Sequence, residues 1–253
     1  MNWIGLWTLT RREVGRFFSV YRQTILPGLI SSALYILIFG FTLEQRISEI
    51  QGVSYTWFIL PGLIMMNTLT NATSNTASSM LQMKLLQQLP DLLTAPLSGF
   101  EIALSYIIGG CVRGLVNGIL VLLLGVLLIK LPVNDIFGTI SFIFFVSWAF
   151  SSMGLLLGQL ADSWDQLAMM QNFFLTPLSF LGGIFYSIQM LPDWAQRVSF
   201  INPIYYMING IRYTILGISD SSISFSFWMA FILTIIFSTT AILIMQSGKK
   251  IKQ

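Results

Sequence analysis

Lys84-Leu-Leu-Gln-Gln-Leu-Pro90-Asp-Leu-Leu-Thr-Ala-Pro96 is a short mixed stretch between two long apolar runs. In it Lys84, Gln87, Gln88 and Asp91 alternate with Leu85, Leu86, Leu89, Leu92 and Leu93, and prolines bracket its second half. The flanking runs are soluble in hydrocarbon and this segment is not, so residues 82–97 are expected to form a helix lying at the membrane surface. A soluble partner gripping it would pass force to the spans on both sides. The candidate gripping residues are Lys84, Leu85, Gln88, Leu89, Asp91, Leu92, Leu93 and Pro96.

Composition supports the membrane setting. Hydrophobic residues make up 55% of 253 and charged residues 9%, with a mean hydropathy of +0.77. Soluble domains carry about 25% charged residues, so most of this surface must face lipid. A net charge of +3, with no basic groove interleaved by aromatics, argues against nucleic acid. The single cysteine, Cys111, excludes an internal disulfide and a cysteine metal site. The absence of histidine removes imidazole ligands and the usual general base. No catalytic residue, cofactor site or metal site is expected in this chain.

Six apolar segments approach the length of about 20 residues that a crossing needs. They run over 24–43, 56–79, 102–131, 136–160, 167–186 and 223–245. The expected architecture is one all-α transmembrane domain over 1–253 with six spans. Lysine and arginine bias sets its orientation. With both termini inside, Arg11, Arg12, Arg16, Arg22, Lys84, Lys249, Lys250 and Lys252 are cytoplasmic, against Arg46, Lys130, Arg197 and Arg212 outside. No cleavable signal peptide is expected, because the apolar run starts after residue 23 without a small-x-small site behind it. Residues 1–23 read instead as an interfacial helix, with Trp3, Leu6, Trp7, Val14, Phe17, Phe18 and Tyr21 at helical spacing beside Arg11, Arg12 and Arg16. Its role is either a topogenic flank or a surface that docks a cytoplasmic partner.

Polar residues inside the spans fall in stripes. Asn67, Asn71 and Asn75 recur every four residues, extended by Ser78, Ser79 and Gln82, and such a stripe must face protein or water. It reads either as interhelical hydrogen bonding or as the lining of a pathway. Gly110, Gly114 and Gly118 repeat at the same spacing and favour close helix packing; Gly154 and Gly158 continue the theme. Arg113 is a charge within a span, which marks it as functional, as a partner of Asp162 or Asp165, or as a side chain that snorkels. Pro177 is expected to kink the fifth span. Residues 187–220, with Trp194, Tyr205, Tyr206 and Tyr213, read as two short amphipathic helices in a re-entrant hairpin at the outer face.

In this order and spacing, Ile59-Leu-Pro-Gly-Leu-Ile-Met-Met66, Leu92-Leu-Thr-Ala-Pro-Leu97, Leu175-Thr-Pro-Leu178, Leu181-Gly-Gly-Ile-Phe-Tyr-Ser187 and Asn202-Pro-Ile-Tyr-Tyr-Met-Ile208 with Arg212-Tyr213 resemble the permease subunits of ABC-2 type export transporters. The likeness is greatest to the YadH-like group of bacterial inner-membrane permeases, and it extends over the whole chain. It implies the type V exporter fold: an interfacial helix, six spans, a cytoplasmic coupling helix at 82–97 and a re-entrant hairpin at 187–220. It further implies an inner-membrane location, a second permease forming a homodimer or, as in some members, a heterodimer, and two copies of an ATPase subunit carrying ATP and Mg. Spans two and five would border the central seam, placing Asn67, Asn71, Asn75, Phe173, Phe174 and Phe180 near the route. Ser247-Gly-Lys-Lys250 lacks the upstream glycine and the hydroxyl residue of a phosphate-binding loop, so ATP hydrolysis is expected in a separate polypeptide. The apolar, aromatic-rich chain favours an amphipathic or lipid-like cargo: a drug, a lipid or a glycolipid. The competing readings are a membrane scaffold for a soluble protein and an integral-membrane lipid-modifying enzyme. For the latter the acid pairs Asp162/Asp165 and Glu44/Glu49 have no histidine partners.

Overall fold

The computed structural model describes residues 1–40, 42 and 49–248, the side chain of residue 93 excepted. Helix α1, Trp3–Ser19, starts at Asn2, whose side chain accepts from the Gly5 amide at 3.0 Å. After a break at Val20, α2 runs over Tyr21–Gly40 and finishes in a π-helical turn, Ile36–Gly40. The strands β1, Glu49–Ile50, and β2, Val53–Ser54, pair antiparallel and lead into α3, Tyr55–Leu85. Then follow α4 (Leu89–Thr94), α5 (Gly99–Ile129) and α6 (Ile136–Leu160). The chain continues through α7 (Trp164–Met170), a π-helical turn (Gln171–Leu175) and α8 (Thr176–Leu181). A 3₁₀ turn (Ile188–Met190), α9 (Asp193–Ile201), α10 (Pro203–Leu216) and α11 (Ile223–Ser247) complete it.

Among the described residues, four helices are long and apolar enough to cross a membrane: α2, α5, α6 and α11. The other two expected spans take a different form for identifiable reasons. Helix α3 has the length, roughly 46 Å for its 31 residues, but its asparagines, threonines and serines dilute its apolar character. Residues 167–186 do not form one helix. The helical run continues from Trp164 through the π turn and Pro177 but stops at Leu181, where Gly182-Gly183 turns the chain with Gly183 at φ +79. The surface segment 82–97 is likewise shorter than expected. Helix α3 continues through Leu85, and only Leu89–Thr94 is helical beyond it. The span expected at 102–131 lies at Gly99–Ile129, because Ser98 and Glu101 close a capping box and Lys130 ends the helix at φ +51. The expected end of the first span, at residue 43, lies outside the described residues.

Helix α3 is the axis. It packs against α5 and α6, which also pack on each other, and α11 lies across α6 and α5. Lipid supplies no hydrophobic drive between helices, so close van der Waals fit has to hold them. The glycines of α5 provide it. A Cβ on Gly110 would run into Thr76 and Ser151, one on Gly118 into Thr68, and one on Gly114 would lie 2.8 Å from Ser147 Oγ. The threonines of α3 satisfy themselves locally: Thr68 Oγ1 donates to the Ile64 carbonyl and Thr73 Oγ1 to that of Leu69, both at 2.8 Å. Thr76 and Ser151 hydroxyls meet at 2.8 Å between α3 and α6. A buried axis of polar residues thus presents no unpaired hydroxyl at these three threonines.

Two sets of loops mark the ends of the bundle. At one end, Asn2 Nδ2 donates to the Pro96 carbonyl and Gly99 abuts Gln246, which brings both described chain ends and the α4 segment together. At the other, Trp57 Nε1 donates to the Ile129 carbonyl, and the amides of Asn134 and Asp135 donate to carbonyls of α10. Gly110→Ala is expected to lower thermal stability by about 1–3 kcal/mol through overpacking. Gly15→Ala in α1, where no atom lies within 4 Å of the added methyl, is expected to hold or raise it by under about 1 kcal/mol. Melting of the two purified variants checks the pair.

Candidate functional site

The asparagine stripe of α3 separates into three contacts. Asn67 Nδ2 donates to Ser32 Oγ of α2 at 2.7 Å. Asn71 Oδ1 accepts from Nε and Nη2 of Arg113 at 3.2 and 3.0 Å. Asn75 gives its carbonyl and Oδ1 to Arg16 Nη2 of α1 at 2.8 and 3.0 Å. Each asparagine therefore ties α3 to a different helix. Asn67, Asn71 and Arg113 also share the wall of a groove of about 300 Å³ with residues of α2. Asn75 lies below the groove and is buried.

Arg113 pairs with neither Asp162 nor Asp165; it meets Asn71, while Asp162, past the end of α6, meets Lys84. Lys84 Nζ turns inward to the C-terminal end of α6, meeting the carbonyls of Gln159 and Ala161 at 3.1 and 2.8 Å and Asp162 Oδ1 at 3.1 Å. A cation at a helix C-terminus suits both the free carbonyls and the helix dipole. Of the other segment residues, Leu85, Gln88, Asp91 and Pro96 are exposed, Leu92 is half-buried and Leu89 is buried. The Leu93 side chain lies outside the described residues. A groove of about 420 Å³ separates this segment from α1, with Gly5, Leu9 and Arg12 on one wall and Leu92, Ala95 and Leu97 on the other.

The seam phenylalanines part from the asparagines. Phe173 and Phe174 sit on the π turn, 74% and 66% exposed, and do not line the groove. Phe180 approaches it indirectly: its ring stacks on Phe185 at 5.9 Å, and Phe185 meets Tyr35 of the groove wall at 5.7 Å.

Two buried charges escaped the sequence reading. Glu13, 1% exposed, accepts from Arg12 Nη2 at 2.9 Å and Ser79 Oγ at 2.7 Å, with Arg16 Nε at 3.6 Å. It is the lone acid among the arginines of α1, and that position was its only signal. Burial pulls the Arg12 guanidinium's pKa down, but the Tyr106 hydroxyl and Glu13 outweigh this and hold it above the ordinary value. Arg212 was counted as an outer charge, yet it is 1% exposed. Helix α10 is buried against α3, α6 and α11 rather than lying amphipathic at a surface, and it carries Arg212 inward. Its Nη2 donates to the Gly183 carbonyl, and its guanidinium lies 4.0 Å from the Phe58 ring centroid.

Around Arg212 the separate sequence motifs converge. The loop after α8 brings Ile184 within 2.8 Å of where a Cβ on Gly62 would stand, so Pro61-Gly62 is the opening that admits it. Tyr55 donates to the Phe185 carbonyl at 3.1 Å, and Asn202 Nδ2 to that of Leu178 at 2.6 Å. Beyond them Asp220 accepts from Ser187 Oγ and Gln51 Nε2.

The family model described as ABC-2 type transporter matches residues 5–216. The inner membrane transport permease YadH of Escherichia coli strain K12 is 36% identical over 253 residues, covering 100% of this chain and 98% of that protein. Nodulation protein J of Rhizobium leguminosarum bv. viciae is 28% identical over 227 residues, covering 86% and 83%. Its counterpart in Rhizobium meliloti is 26% identical over 226 residues, covering 85% and 82%.

Glu13→Ala is expected to lower stability by about 2 kcal/mol, because it removes the acceptor of Arg12 and of the buried Ser79 hydroxyl. Ser79→Ala should cost about 1 kcal/mol. Thermal melts of the detergent-solubilised chain check the order.

Proposed function

We propose, from the premise that the chain belongs to the ABC-2 type transporter family of membrane permeases, that it is the permease subunit of an exporter driven by a separate ATPase. The observation that carries this reading is α4. It is a short exposed element beside the inner ends of α3 and α5, facing away from the bundle and tied to α1 by Asn2. A partner pressing on Leu85, Gln88 and Asp91 acts directly on the helix that carries the asparagines. Lys84 and Leu89 fix the segment to the bundle from within, and Leu92 and Pro96 face α1.

In this reading α2, α3, α5, α6, the α7–α8 segment with its π turn and α11 make six crossings, with α9 and α10 as the outer hairpin. Arg11, Arg12, Arg16, Arg22 and Lys84 lie toward the α4 end, and the positive-inside rule supports reading that end and both termini as cytoplasmic. The exposed Phe173 and Phe174 suit burial against a second permease, so that two copies and two ATPase subunits, holding ATP and Mg, form the assembly. Its cargo is an amphipathic or lipid-like molecule, which the half-polar groove beside Asn67 and Asn71 can accept.

Pull-down of the tagged chain from native membranes, with mass spectrometry and an ATPase assay on the eluate, tests the assignment. A stoichiometric ATPase is expected, and the combined Leu85→Asp and Asp91→Lys variant is expected to reduce its recovery at least about tenfold without shifting the melting temperature. Recovery of the chain alone would contradict the permease reading, and full recovery with the variant would move the docking surface elsewhere.

A further inference from the structure

The groove between α2 and α3 holds a cation without a carboxylate. Arg113 stands midway along α5, one turn beyond Gly109, which abuts Glu13 of α1. Two of its nitrogens bond the single acceptor Asn71 Oδ1. A guanidinium has about five N–H donors in a planar fork that matches an oxyanion, so most of this one is unoccupied by the chain. The ion pairs among the described residues are Arg12–Glu13, Arg16–Glu13 and Lys84–Asp162, none of which includes Arg113. The charged neighbour that acts on it, Arg16, is another cation. The other polar groups on the groove wall, among them Gln23, Thr70 and Ser74, are neutral.

Such a charge is costly to keep within a membrane and marks a ligand path. An arriving anion would supply the missing partner. The groove volume, about 300 Å³, suits a head group rather than a whole amphiphile. Pro27, Tyr35, Leu63 and Met66 give it an apolar wall. Leu26, Ile30 and Leu34 of α2 lie exposed beside it, where a chain can run.

We infer that Arg113, oriented by Asn71, binds the oxyanion head group of an amphiphile, whose apolar chain lies along α2. This rests on the export reading for its consequence, namely that an acidic rather than a neutral amphiphile is the cargo.

The test uses the full chain in phosphatidylcholine nanodiscs, titrated with fluorescent phosphatidic acid and with the diacylglycerol of the same chains. The acid is expected to bind at least about tenfold more tightly, as one charge-assisted hydrogen bond allows. Arg113→Gln should remove that preference and Arg113→Lys should keep most of it. Asn71→Asp places a carboxylate on the guanidinium and should remove the preference with the arginine still present and the melting temperature held. Equal binding of the two lipids by the unaltered chain overturns the inference, as does a preference that survives both Arg113→Gln and Asn71→Asp. Displacement of the acid by millimolar inorganic phosphate would make the ligand a free anion and overturn the amphiphile; retention supports it. The outcome is independent of ATPase recovery, so failure here leaves the permease assignment standing.

Discussion

The bundle depends on one constraint: α3 is too polar for lipid and must be surrounded by protein. Each unpaired polar group in hydrocarbon costs several kcal/mol. Three asparagines and a ladder of threonines therefore oblige α1, α2, α5 and α6 to gather round it. The glycines of α5 allow that approach, because Gly110, Gly114 and Gly118 stand where Thr76, Ala72, Ser147 and Thr68 occupy the space a side chain would need. Arg16 and Arg113, each anchored on an asparagine of α3, extend the same obligation to charge. The polar axis is thus both the reason for the packing and the one part of the interior where a polar ligand finds partners.

Much of this was legible because periodicity survives burial. The span at 136–160 has the bounds read from the sequence, the asparagine stripe faces protein, and Gly110, Gly114 and Gly118 lie at helix contacts. The sequence was less explicit where a side chain chooses between partners far apart in the chain. Asp162 is claimed by Lys84 from 78 positions away, and only the fold shows that Arg113 is left to Asn71. Arg212 looked like a loop charge because hydropathy does not distinguish an arginine near a turn from one folded under it. The fifth segment reads as one mostly apolar run despite Gln171 and Asn172, and that composition concealed the π turn and the stop at Gly182-Gly183. Phe173 and Phe180 are seven apart and would share a face of a regular α-helix, but the π turn at Gln171–Leu175 shifts the register and separates their surroundings.

The two ends of the molecule are joined through α3. One end runs into Leu85 and the α4 segment, and its middle carries Asn67 and Asn71. The other end holds Phe58 and Gly62 under the loop that Arg212 pins. A displacement at α4 is therefore applied to the same rod that forms the groove wall and packs against α10. The π-helical turn at Ile36–Gly40 lies in the element that flanks this rod, and a second lies at Gln171–Leu175. Such turns re-space backbone hydrogen bonds without losing them and often sit at functional positions.

The central claim is that the polar face of α3 borders a route opened and closed by ATP. Thr70 is exposed on the groove wall, so Thr70→Cys, in a chain whose buried Cys111 is replaced by alanine, reports on it most directly. The assembly of permease and ATPase, reconstituted in vesicles, would be treated with a membrane-impermeant maleimide from each side, with and without ATP. The account predicts labelling at Thr70→Cys whose sidedness changes with ATP, while Ile232→Cys on the exposed face of α11 stays unlabelled throughout. A Thr70→Cys chain as unreactive as Ile232→Cys in every condition would contradict it.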